Sequence, residues 1–275
     1  MSKPRILIAR AVFPEVVEHL SLHFQVESNQ EDVLRSPAEL AARLADKDGA
    51  LTTGSERIDR SLLAACPRLR IVANMAVGYN NFDVEAMTAA GVQGTNTPDV
   101  LTETTADFGF ALLMATARRV TESEHFLRAG RWNRWSYDMF AGAEVHGTRL
   151  GIIGMGRIGQ GIARRGAHGF GMEVVYHNRS RLAPALEAEC KARYVAKDEL
   201  LRTADHVVLV LPYTADSHHT IGAPELAQMK PTGITASRSA SSSRRTRSWA
   251  SSTGGWVFGI AAMATNPPAA PDREP

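Results

Sequence analysis

Short apolar runs alternate with longer stretches in which apolar positions recur at helical spacing. "RILIA" (5–9), "GALTT" (49–53) and "LRIVAN" (69–74) are short, apolar and bounded by polar residues, which predicts buried strands. Between them, "PEVVEHLSLHF" places Val16, Val17 and Leu20 on one helical face. "SPAELAARLAD" opens with Ser36 as an N-cap, Pro37 at the first helical position and Glu39 three residues after the cap. "DVEAMTAAG" predicts a helix closed by Gly91. Strands alternating with helices in this way predict a parallel sheet and an α/β fold.

"TETTADFGFALLMATARRV" (102–120) is the longest helical pattern. Phe108, Leu112 and Ala115 fall at helical spacing, and Phe110 and Leu113 widen the stripe. A helix apolar over so much of its surface is buried or sits at an interface. "FLRAGRWNRWSYDMFAGAEVHG" has aromatic residues without a period and reads as connection. A second series follows: strands at "TRLGIIG", "MEVVYHN" and "HVVLVLP", with helices at "GRIGQGIARRGAHGF", "KDELLRTA" and "APELAQMK". After Lys230 the pattern stops. Residues 234–255 hold eight serines and four arginines, no leucine follows Leu226, and no Asp or Glu lies between Glu225 and Asp272. Such a segment lacks the apolar area that offsets backbone entropy, so no packed strand is expected from about residue 233.

Composition changes this picture little. With 275 residues, 44% hydrophobic and 22% charged, the chain has room for a packed core in one large or two ordinary domains. A net charge of +2 gives no bulk electrostatic reason for a nucleic-acid or membrane partner. Cys66 and Cys190 are the only cysteines, which fits a reducing, cytoplasmic setting. No apolar run reaches the ~18 residues of a membrane span.

The chemistry begins at "LGIIGMGRIGQGIARR", where Gly154, Gly156 and Gly159 form GxGxxG between an apolar strand and a helix. Gly154 permits the tight turn, Gly156 lets the backbone approach a pyrophosphate, and Gly159 brings helix and strand together. The helix start then offers N–H groups and a positive dipole end to phosphate. An NAD-selective site carries an Asp or Glu about 20 residues on. Here the strand runs into His177, Asn178, Arg179, Ser180 and Arg181, with no carboxylate. A guanidinium pairs with a 2′-phosphate where a carboxylate repels it, so the pattern favours NADP(H), with NAD(H) as the alternative.

Five strings, "NMAVGYNNFD", "TETTADFGFALLMATARR", "GIIGMGRIGQGIARR", "VVLVLPYTADSHHTIG" and "ELAQMKPT", resemble in their order the D-isomer-specific 2-hydroxyacid dehydrogenases. The glyoxylate, hydroxypyruvate and 2-ketogluconate reductase branch is the most similar, and the resemblance spans roughly residues 4–232. It implies a flavodoxin-like substrate domain over 1–98, a Rossmann domain over 99–232, and an aberrant tail over 233–275 that leaves the fold incomplete at the C-terminus. It also implies a homodimer through the Rossmann domain, a small 2-keto or 2-hydroxy acid as substrate, and no metal.

By position, the resemblance assigns the substrate carboxylate to the backbone N–H groups of Val77 and Gly78, and the nicotinamide surroundings to Thr105. Thr105 also reads as a helix cap. The pyrophosphate turn maps to Gly156, Arg157 and Ile158, and the loop on the adenosine side to Leu211 and Pro212. His218 and His219 fall in a polar loop of the family and are expected at the surface. The family then supplies an Arg-Gly pair, a Glu before Pro, and a His acting as general acid/base. Ala240 stands near the place of that Arg, the dipeptide Glu274-Pro275 comes late, and no His follows His219. No catalytic residue is therefore assigned, and reduced activity, or a nucleotide-binding remnant without turnover, is expected. A reading-frame change near codon 233 would account for the abrupt change in composition, and the nucleotide sequence tests this by an in-family continuation in another frame.

Overall fold

The structure, a computed structural model, describes residues 2–212, 214 and 217–236. They form two compact units, one ending at Leu101 and the other starting at Thr102.

In the first unit the elements run β1 (Arg5–Ile8), α1 (Pro14–Ser21), β2 (Gln25–Ser28), α2 (Pro37–Leu44), β3 (Gly49–Thr52), α3 (Arg60–Ala65), β4 (Ile71–Asn74), α4 (Val84–Ala89) and β5 (Gln93–Thr95). The sheet is parallel throughout with order β2-β1-β3-β4-β5, the flavodoxin-like order. Leu7, Leu44, Ile58 and Val72 are fully enclosed in its core. Ser36 caps α2 through the reciprocal bonds expected of its spacing with Glu39. Gly91 closes α4 with φ +68°.

The second unit holds α5 (Thr102–Ala117), α6 (Val120–Arg128), β6 (Arg149–Ile153), α7 (Arg157–Arg164), β7 (Glu173–His177), α8 (Pro184–Glu189), β8 (Ala192–Tyr194), α9 (Lys197–Thr203), β9 (His206–Leu209), α10 (Ala223–Gln228) and β10 (Ile234–Ala236). A π-helical turn over Arg165–Gly169 continues α7. The sheet order is β10-β9-β6-β7-β8, again all parallel. Within this unit that is the 3-2-1-4-5 order of a Rossmann sheet. Among the described residues no helix is long and apolar enough to cross a membrane.

Two expectations are corrected. The buried stripe of α5 is Ala106, Phe110, Leu113 and Ala117, whereas Phe108 is 44% exposed and Leu112 and Ala115 are half-buried. Small residues select the face: a Cβ at Gly161 of α7 would lie 2.7 Å from the Cβ of Ala106, so α7 packs where α5 is slim. Ordered packing also does not stop at 233. Ile234 donates its N–H to the Asp205 carbonyl (3.0 Å) and pairs with His206, and Lys230 binds the Asp205 carboxylate at 2.6 Å. One buried isoleucine and a ladder of backbone bonds are enough to add a three-residue strand. The rest of the serine- and arginine-rich tail lies outside the described residues.

Candidate functional site

Steric limits dictate the glycine turn between β6 and α7. Gly154 has φ +102°, and a Cβ there would sit 2.3 Å from the Val210 carbonyl oxygen. A Cβ at Gly159 would lie 2.3 Å from the carbonyl oxygen of Gly154. Both glycines are therefore required by the fold itself. Gly156 differs: a Cβ there would meet nothing within 4 Å. Gly156 is the N-cap of α7 with no side-chain cap, and the N–H groups of Gly156 and Ile158 have no acceptor among the described residues. An open backbone with free donors at a helix start fits a phosphate group. Arg157 is exposed at the first position of α7.

The strand end that follows is tied to this turn. The His177 carbonyl accepts from the Gly154 N–H (3.1 Å), and Asn178 Oδ1 accepts from the Met155 N–H (2.7 Å). The His177 ring stacks on Tyr194 and bonds through Nδ1 to the Val195 carbonyl (3.0 Å). His177 and Asn178 thus shape the turn from behind.

Beyond them the two arginines diverge. Arg181 forks onto Glu187 at 2.9 and 2.8 Å. Glu187 also accepts from the Tyr176 hydroxyl (2.7 Å), which in turn accepts from the Leu182 N–H (2.8 Å). The Arg181 guanidinium, helped by the tyrosine, holds the Glu187 carboxyl below its usual range, and burial pushes Tyr176 up. Arg179 and Ser180 are exposed, and Arg179 makes no ion pair among the described residues.

Thr105 lies in the first turn of α5, past its opening residue, so it is not a cap. Its flanks are clamped: Glu103 binds Arg164 (2.8 Å) and Arg165 (2.9 Å), and Asp107 accepts from Arg165 Nε at 2.7 Å. These bonds fix the start of α5 on α7, the helix that carries the glycine turn. Leu211 packs beside Gly154, and Pro212 is exposed with its carbonyl accepting from Ser217 Oγ (2.8 Å). His218 and His219 are exposed and lie edge-on at 3.9 Å. Among the described residues no group of three His, Cys, Asp or Glu side chains is placed to hold a metal.

Val77 and Gly78 occupy the loop after β4 in the first unit, half-buried. The carbonyls of residues 76–78 in this loop are all held from below. Ala76 O accepts from the Thr97 N–H (3.0 Å), Val77 O from Asn96 Nδ2 (2.8 Å) and Gly78 O from Asn74 Nδ2 (3.0 Å). The N–H groups of Val77 and Gly78 have no acceptor among the described residues. Asn74 and Asn81, buried and bonded to each other, brace the loop, and Asn81 reaches the carbonyls of Thr53 (3.1 Å) and Glu56 (2.8 Å). The sequence reading missed these asparagines and Glu187. A cluster of asparagines around an apolar strand was a usable signal, because buried amides must be bonded.

The family profile "D-isomer specific 2-hydroxyacid dehydrogenase, NAD binding domain" matches residues 110–241. The glyoxylate reductase of Thermococcus gammatolerans is 48% identical over 236 residues, covering 84% of this chain and 70% of that protein. That of Aeropyrum pernix is 45% identical over 238 residues, covering 85% and 70%. Among solved structures, a Thermus thermophilus protein superposes with TM-score 0.76 at 35% identity, covering 84% of this chain and 72% of that one. A glyoxylate reductase from Paecilomyes thermophila gives TM-score 0.73 at 30% identity, covering 85% and 72%.

Proposed function

Because the chain belongs to the D-isomer specific 2-hydroxyacid dehydrogenase family, we propose that its glycine turn and its Val77–Gly78 loop serve the reduction of a small 2-keto acid. The chain is by family an NAD(P)-dependent dehydrogenase of 2-hydroxy acids. Glyoxylate, hydroxypyruvate and 2-ketogluconate are the substrates put forward, each giving the D-2-hydroxy acid. The observation that carries this reading is the open Gly156 at a helix start whose N–H groups find no acceptor among the described residues, which fits a nicotinamide dinucleotide by its pyrophosphate.

Each residue then has a task. Gly156, Arg157 and Ile158 hold the pyrophosphate on the start of α7. Arg179 meets the 2′-phosphate, which favours NADP(H) over NAD(H). Thr105 lies near the nicotinamide, and Leu211 and Pro212 border the adenosine. Val77 and Gly78 hold the substrate carboxylate on two backbone N–H groups. When bound, the nicotinamide supplies hydride to the 2-carbon. The developing alkoxide needs a proton and a nearby cation, and in the family an Arg and a His supply these. Residues 220–275 hold no His, and neither Arg238 nor Ala240 repeats the Arg-Gly pair. A general acid is worth ~10²–10⁴-fold, so turnover is proposed to be weak. The lack of a histidine in residues 220–275 also supports the second reading, a nucleotide-binding protein without turnover.

We place the protein in the cytoplasm as a homodimer through its Rossmann unit. Exposed Val120, Leu127, Trp132 and Trp135 on that unit support the dimer. Titrating NADPH and NADH against one preparation, and assaying glyoxylate reduction on it, tests the function. Tighter NADPH binding with slow reduction is expected. Rates within about tenfold of a full-length relative overturn the proposed loss, which allows ~10²-fold at least for the missing acid.

A further inference from the structure

The following inference rests on Val77 and Gly78 acting as the carboxylate cradle. A trans peptide is planar, so whatever holds its carbonyl also aims its N–H in the opposite direction. The Val77 N–H shares a peptide with the Ala76 carbonyl, held by the backbone of Thr97 at 3.0 Å. The Gly78 N–H shares a peptide with the Val77 carbonyl, held by Asn96 Nδ2 at 2.8 Å. Two consecutive residues directly after β5 therefore steer both cradle donors. The first bond is backbone to backbone and almost any residue supplies it. The second requires a hydrogen-bond donor in the side chain at position 96, here the amide of Asn96.

We propose that Asn96 is a positioning residue that aims the Gly78 N–H at the substrate carboxylate. Donation to the Val77 carbonyl also polarises that peptide and makes its N–H a stronger donor. The orientation of the amide is not ambiguous, since only its NH₂ end can face a carbonyl oxygen. Asn74 acts in the same way on the following peptide, but it is buried and also bonded to Thr52 and Asn81. Asn96 is half-buried, so its replacement leaves the core intact.

The test uses the full chain, labelled with ¹⁵N, and oxamate, a carboxylate that mimics a 2-keto acid and is not reduced. In the unaltered chain the Val77 and Gly78 amide resonances both shift on titration. In Asn96→Ala the Gly78 response is lost, the Val77 response remains, and the oxamate Kd rises about tenfold or more, as for one lost bond to a charged group. Asn96→Asp keeps the shape, removes the donor and gives the same outcome, which also decides the matter if the alanine variant fails to fold. A Gly78 response and a Kd unchanged in both variants overturn the proposal and leave the cradle standing. Equal loss at both amides also overturns it, since that marks a merely structural asparagine. No response at either amide in the unaltered chain overturns the cradle and the role of Asn96 together.

Discussion

Arg179 and Arg181 are separated by one residue and are committed differently. Arg181 is forked onto Glu187, and Arg179 is exposed without an ion pair among the described residues. Arg179→Asp is expected to shift the ratio of NADPH to NADH affinity toward NADH by about tenfold or more, the scale of a lost charge-assisted bond. Paired fluorescence titrations check this, and an unchanged ratio removes Arg179 as the reader. Glu187→Gln is expected to act in the opposite sense. The neutral amide no longer forks the guanidinium, Arg181 is released toward the ribose end, and preference for NADPH rises. A ratio that stays put would show that Arg181 does not reach the phosphate even when freed. The string "HNRSR" made both arginines legible, but not that a glutamate six residues further on would take one of them. Asn96 was hidden for a similar reason, because its partner Val77 lies 19 residues away. Side-chain pairing across a turn leaves no periodic trace.

At the scale of elements, the contact of α5 on α7 and the turn that opens α7 make separable demands on glycine. Gly161→Ala places a methyl 2.7 Å from the Ala106 Cβ, where neither backbone gives way without moving a helix. Overpacking of this kind costs about 1–3 kcal/mol, so calorimetry is expected to show a lower Tm. Gly156→Ala meets nothing within 4 Å and is expected to leave Tm nearly unchanged while weakening nucleotide binding. Equal effects of the two on Tm would contradict this division. The helices and strands most legible in the sequence were those with a strong apolar period or run. β2 ("QVES"), β5 ("QGT") and β8 ("ARY") escaped notice because they are short and largely polar or exposed. On α5 Phe110 and Leu113 are buried as the stripe predicts, but the buried face is centred on Ala106 and Ala117 and not on Phe108, Leu112 and Ala115. Ala106 and Ala117 are buried because they are small enough for a close neighbour.

For the molecule as a whole, charge pairing sets the response to acid. The Arg10 guanidinium, with the Ala11 N–H, holds Asp32 down to about 2, and Asp48 and Asp59 are held low by hydrogen bonds, chiefly from the Arg5 N–H and the Ser61 hydroxyl. Burial pushes the His206 imidazole below its usual range. For each of these the unfolded chain takes up its proton first. Their stabilisation is complete above the unfolded pKa and lost as pH falls toward the folded one. Urea midpoints are therefore expected to decline below pH ~6.5 as His206 charges in the unfolded chain, and more steeply below pH ~4, down to about 2 for Asp32. A midpoint flat from pH 6 to 3 would contradict this, and Asp32→Asn should blunt the lowest stretch of the curve. Both sheets are drawn from uninterrupted stretches of chain, 5–95 and 149–236. Among the described residues every strand of the first sheet lies within 5–95, so that sheet can form while the second is still being made on the ribosome. Domains in such an arrangement fold in the order of their synthesis. A change of sequence after residue 236 then reaches the nascent chain only after the first sheet, and most of the second, has had its chance to form.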